Sequence, residues 1–158
     1  MFREMRRSKQ ALSEAECIEV LKSEPRGVLS VLGDDGYPYA VPINFFYCEE
    51  EEKIWFHGAK AGHKIDSIRR DSRVCFTVTG EPCIKEEPWA PFVQSAVVFG
   101  RCRLIGDPEE AAAAVRRFAA KYYPDMQMVE EEAAKSGKAV QMFEITIEHL
   151  SGKEVQEK

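Results

Sequence analysis

The 158-residue chain is long enough for one domain with a sizeable core. Its 44% hydrophobic and 31% charged residues are ordinary for a globular protein, and a net charge of −5 argues against general nucleic-acid binding, which calls for a basic surface. No stretch approaches the roughly 18 apolar residues of a membrane span, and the charged start Met1-Phe2-Arg3-Glu4 leads into no apolar run of the secretory kind, so a cytoplasmic protein is expected. Cys17, Cys48, Cys75, Cys83 and Cys102 are widely spaced with no CxxC pair, which predicts reduced thiols and neither a disulfide framework nor a zinc site.

Residues 1–12 read as an extended arm with Arg3, Arg6, Arg7 and Lys9, either a solvated tail or an arm around a partner subunit. A single domain is expected over 13–150. Ser13 and Glu16 have capping-box spacing and start a helix that ends near Ser23, ahead of Pro25. Residues 27–32 form an apolar run that predicts a buried strand. Gly33-Asp34-Asp35-Gly36 is a turn, and residues 37–47 give a second, antiparallel strand interrupted by Pro38 and Pro42. Asn44 is an amide in the otherwise apolar end of that strand.

After an acidic hairpin loop at 48–52, residues 53–79 read as strand, tight basic turn, short helix and strand. Ile54, Trp55 and Phe56 are β-prone, and Ile65 and Ile68 place one apolar stripe on the helix. Val74, Phe76 and Val78 alternate with Cys75 and Thr77. The turn carries His57, Gly62, His63 and Lys64 just before the helix. Free N–H groups at a helix start, with a lysine beside them, suit a phosphate. Most Gly-His-Lys turns are simply solvated, so the motif alone does not define a site.

Residues 80–91 hold three prolines (Pro82, Pro88 and Pro91) and Trp89, a long irregular loop that is either a lid or a packed surface loop. Residues 94–105 are a long strand with a bulge or bend at Gly100. Asp107-Pro108-Glu109-Glu110 starts a helix running to about Tyr123, with Val115, Phe118, Ala119 and Tyr122 on its apolar face. A short helix at 126–135 and a strand at 141–150 follow, and 151–158 reads as a loose charged tail. Six strands joined mostly by hairpins, with helices between some of them, predict a mainly β protein: a six-stranded antiparallel barrel with peripheral helices.

No GxGxxG, Walker loop or GxSxG elbow is present, and His57, His63 and Asp66 have no familiar metal-ligand spacing. The order Gly36-Tyr37-Pro38, Val41-Pro42-Ile43-Asn44-Phe45, 54–64, Arg73-Val74-Cys75-Phe76 and Ser95-Ala96-Val97-Val98-Phe99-Gly100 resembles the pyridoxamine 5′-phosphate oxidase-like flavoproteins, and is most similar to their nitroimidazole-resistance branch. The resemblance covers about residues 26–150. It implies a split β-barrel homodimer with FMN at the subunit interface and a small-molecule substrate. His63 and Lys64 would hold the phosphate, and Gly62 would permit its close approach. Pro42, Ile43, Asn44 and Phe45 would run along the isoalloxazine, Phe56 and His57 would line its ribityl and ring side, and Ser95 matches a flavin-contacting position. His57 is the best match for the branch's active-site histidine, with His63 the alternative. Trp89 and Phe92 could cover the ring, from this subunit or its partner.

The implied activity is reduction of small electron-poor organics such as nitroimidazoles. A flavin- or haem-binding carrier or sensor is the alternative. Two departures argue against oxidation of pyridoxamine phosphate itself. A neutral segment, 40–45, stands where the oxidase has an arginine-headed strand, and 141–158 lacks the oxidase's substrate-gripping arginine and histidine.

Overall fold

The computed structural model describes residues 1–87 and 89–157; Pro88, one of the loop prolines, and Lys158 lie outside them. Chain order is α1 (Glu14–Ser23), β1 (Arg26–Leu32), β2 (Pro38–Asn44), β3 (Phe46–Cys48), β4 (Lys53–Gly58), α2 (His63–Arg70), β5 (Arg73–Thr79), β6 (Cys83–Lys85), β7 (Ala90–Leu104), α3 (Pro108–Tyr122), α4 (Met126–Ser136) and β8 (Gln141–Gln156). The strands form one antiparallel sheet in the order β2-β1-β5-β7-β8-β4-β3, with β6 paired to β7. The sheet does not close, so the barrel is split.

The mainly β, split-barrel expectation holds, but there are eight strands where six were expected. The run over 37–47 breaks at Phe45 into β2 and β3, and the proline loop contains the short β6. β2 is an edge strand, where Pro38 and Pro42 are tolerated because only one side of the strand needs N–H donors. The 151–158 tail is corrected as well. β8 continues to Gln156, with Val155 opposite Val93 and Lys153 opposite Ser95. Its charged residues alternate with partners on a long neighbouring strand, and that pairing, invisible in composition, orders them. The register shift between Phe99 and Gly100 falls where a bulge was expected.

The capping box forms as read. Ser13 Oγ accepts from Glu16 N–H at 3.3 Å and Glu16 accepts from Ser13 N–H at 2.7 Å. One face of the sheet buries Leu29, Val31, Phe76, Val78, Val98, Ile54, Phe56, Phe143 and Ile145, closed by Val20 and Leu21 of α1 and Ile65 and Ile68 of α2. On the opposite face, α3 lies on β3, β4 and the start of β8, packing Val115 and Phe118 on Trp55 and Met142. There the buried carboxylate of Glu144 is answered by Trp55 Nε1 at 2.9 Å, Arg103 Nε at 2.8 Å and Lys53 Nζ at 3.1 Å. Among the described residues, the N-terminal arm is what lies against the rest of that face, on β2, β1, β5 and β7. Phe2 of the arm stacks 5.3 Å from Phe99 and 4.8 Å from His149.

Candidate functional site

Strand alternation turns Phe56 into the core and His57 out of it. Phe56 stacks on Phe143 with centroids 4.7 Å apart, while His57 stands on the α3 side with its ring 5.0 Å edge-on from Phe118. The crowding of protein atoms pushes the His57 imidazole below its usual pKa, Lys64 pushes it further, and Glu132 opposes them. His57 is therefore neutral at neutral pH.

Gly62 caps α2 with φ +133°, a conformation that glycine supplies readily, and a side chain there would meet open space. No side chain caps the helix, so its first N–H groups face outward. His63 and Lys64 diverge from this point. The imidazole of His63 stacks 4.1 Å from Tyr39 and approaches Asp34 at 3.6 Å. Lys64 dips beneath the end of β4, its Nζ 5.6 Å from the Phe56 ring centre and 5.4 Å from that of Phe143. Among the described residues it has no carboxylate within ion-pair distance, and burial lowers its pKa. A half-buried ammonium without an acceptor, beside an uncapped helix start, has the chemistry of an anion site.

The other expected residues divide. Pro42 and Asn44 lie on the uncovered face of β2 and Ile43 on its core side. Asn44 Nδ2 donates to the Pro25 carbonyl at 3.2 Å. The Phe45 side chain is buried edge-on to Phe76, and its backbone is already engaged: its N–H donates to Tyr122 Oη at 2.9 Å, and its carbonyl accepts from Lys121 Nζ at 3.1 Å. The aromatic rings of Phe45 and Phe56 are therefore packed in the core.

Ser95 is on the same row of the sheet as Thr79, with β5 and β1 between it and β2, about 14 Å from the Asn44 row. The structure does not bring it to His57 within one chain. Nor does it bring the lid. Phe92 pairs with Gln156 at one end of β7, while Leu104 pairs with Phe143, next to the His57 row, at the other. Roughly 40 Å of extended strand separates them. Trp89 is the exposed tip of that distant hairpin, at φ +42°.

Sequence reasoning placed Tyr122 on an apolar stripe and overlooked the helical hairpin as part of the site. Tyr122 Oη lies 2.7 Å from the Pro25 carbonyl and 2.6 Å from that of Phe45, and Lys121 Nζ donates to Glu24 O at 2.6 Å. Burial pushes the Lys121 ammonium down to about 8. A polar-tipped aromatic four residues after Phe118 was the one available signal. A cleft of about 390 Å³ opens between α3, α4 and β4, lined by Asn44, His57, Phe118, Tyr122, Glu132 and Val140 among others.

The open sheet defines a split-barrel protein, and the exposed histidine and the anion-suited helix start mark a candidate site at the end of β4. The sequence profile of the pyridoxamine 5′-phosphate oxidase family matches residues 13–154, and the chain belongs to that family. No curated protein matches its sequence. Among solved structures it is similar to a candidate 5-nitroimidazole antibiotic resistance protein from Bacteroides thetaiotaomicron, at 19% identity and TM-score 0.77 over 92% of this chain and 87% of that one. It is also similar to an FAD-binding protein from Mesorhizobium loti, at 25% identity and TM-score 0.65 over 92% and 97%. An FAD- and haem-binding protein from Mycobacterium smegmatis aligns at 19% identity and TM-score 0.75, over 95% and 74%.

Proposed function

We propose that this protein is a homodimeric FMN-binding oxidoreductase of the cytoplasm that reduces small electron-poor organic molecules, with nitroimidazoles and nitroaromatics the leading class. The observation that carries the reading is the unanswered Lys64 ammonium beside the uncapped start of α2, one strand-end away from His57. The residues present fit a flavin phosphate: backbone N–H groups of α2, Lys64, and His63 after a rotation off Tyr39 would hold it. Pro42, Ile43 and Asn44 would follow the ring along β2, with Ser95 contributed across the dimer. The family's flavin chemistry and the FAD-binding M. loti relative support the cofactor class.

Bound flavin would supply the electron pair or hydride. His57, neutral and carrying one ring proton, would donate that proton or hydrogen-bond the substrate, and the cleft walls Phe118 and Tyr122 would exclude water from it. Oxidation of pyridoxamine phosphate is not expected, because 141–158 lacks the oxidase's substrate-gripping arginine and histidine and the 40–45 segment is neutral.

The absorption spectrum of the purified protein is the first test. Flavin bands, with FMN and not FAD released on acid extraction, are the expected result. A Soret band would move the reading to a haem module, which the haem-binding M. smegmatis relative keeps in view. A protein that takes up neither cofactor would overturn both. Reduction of a nitroimidazole by the flavin-loaded protein with a chemical reductant then separates an enzyme from a carrier.

A further inference from the structure

We propose that the cleft between the α3–α4 hairpin and β4 is a binding site for flat aromatic molecules that are neutral or cationic and carry hydrogen-bond donors, and that Glu132 selects them against anions. Its volume of about 390 Å³ is that of a small-molecule site. Phe118 and Tyr122 stack with centroids 5.0 Å apart along one wall, and Val115, Val140 and Met142 continue it, so the interior suits a flat ring. Six lining residues carry polar groups, His57 and Glu132 among them. His57 is on β4, and Glu132 is on α4, half-buried, hydrogen-bonded by Ser136 Oγ and close enough to Tyr123 to raise that phenol, after desolvation.

With His57 neutral, Glu132 is the one charged side chain among the described residues of the lining. Its carboxylate accepts hydrogen bonds and offers none. Donors and cations on a bound ring are therefore satisfied there, while an anion would face an unanswered like charge in a partly dry cleft. Lys64, the cation that acts on His57, is turned to the core side of β4 and is not part of the lining.

That the ligand is the substrate rests on the flavin reading; the binding preference does not. The test uses benzamidine and benzoate, which share a ring and differ in charge, titrated at neutral pH into protein with and without FMN. The readout is the ring-proton NMR signals of the three histidines, His57, His63 and His149. Benzamidine is expected to bind about tenfold more tightly than benzoate and to shift the His57 signal. Glu132→Gln is expected to bring the two ligands level, and Val140→Phe to weaken both by filling the cleft. Equal affinities in the wild type, a preference that survives Glu132→Gln, or shifts confined to His63 or His149 would each overturn the proposal. Spectra of the same samples report flavin uptake separately, so a colourless protein that still discriminates would sink the cofactor and keep the cleft.

Discussion

Lys64 acts on His57 in the free protein. Desolvation pushes both groups toward their uncharged forms, and the Lys64 ammonium lowers the imidazole further. Lys64→Ala removes a charge-assisted phosphate contact, and FMN affinity is expected to fall about 10- to 100-fold in a fluorescence-quenching titration. The same variant should raise the His57 pKa in an NMR pH titration, an outcome a merely structural lysine would not give. A histidine with a depressed folded pKa stabilises the fold fully above its unfolded value of about 6.5, and that stability is lost as pH falls through the folded pKa. Melting temperature should thus drop more steeply on acidification below about pH 6.5 in the wild type than in His57→Gln. Lys121, pushed down to about 8 by burial, titrates above that window.

The α3–α4 hairpin is held to the barrel by the last turn of α3. Tyr122 and Lys121 reach into the gap between the start of β1 and the break at Phe45. Tyr122→Phe strands the Phe45 N–H and withdraws the phenol proton from the carbonyls beside it. Unfolding in denaturant is expected to show a loss of about 1–3 kcal/mol with an unchanged slope. This joint also marks the limit of what the sequence could say. Helix caps at Ser13 and Asp107, strand alternation in β5 and the bulge at Gly100 are local signals, and each appears where it was read. The burial of the Phe45 and Phe56 rings depends on which face of an apolar strand meets the core. Phe56 ends a run of three consecutive buried apolar residues, Ile54, Trp55 and Phe56, so periodicity could not decide it. Lys121 and Glu132 acquire their neighbours only through the packing of α3 and α4, which no spacing in the sequence encodes.

At the scale of the molecule, the uncovered sheet face is the remaining question. Val28 is 39% exposed, Leu32 47% and Phe99 39%, and with Pro42 and Val97 they sit on β2, β1 and β7, with β5 between the last two. An apolar sheet face of this extent calls for a cover, and a second copy of the chain meeting it would also carry Ser95 and the Trp89 hairpin toward a site they cannot reach in cis. The dimer therefore makes a joint demand on assembly and cofactor. Val28→Glu adds a charge at an outward-facing position of a central strand and leaves the core residues Leu29 and Val31 untouched. Wild type is expected to sediment at twice the chain mass. Val28→Glu is expected to sediment as a monomer with native far-UV circular dichroism and to lose most of its bound flavin. A monomeric wild type that still binds FMN, or a monomeric variant that keeps it, would place the cofactor within one chain and return Ser95 to a purely structural role.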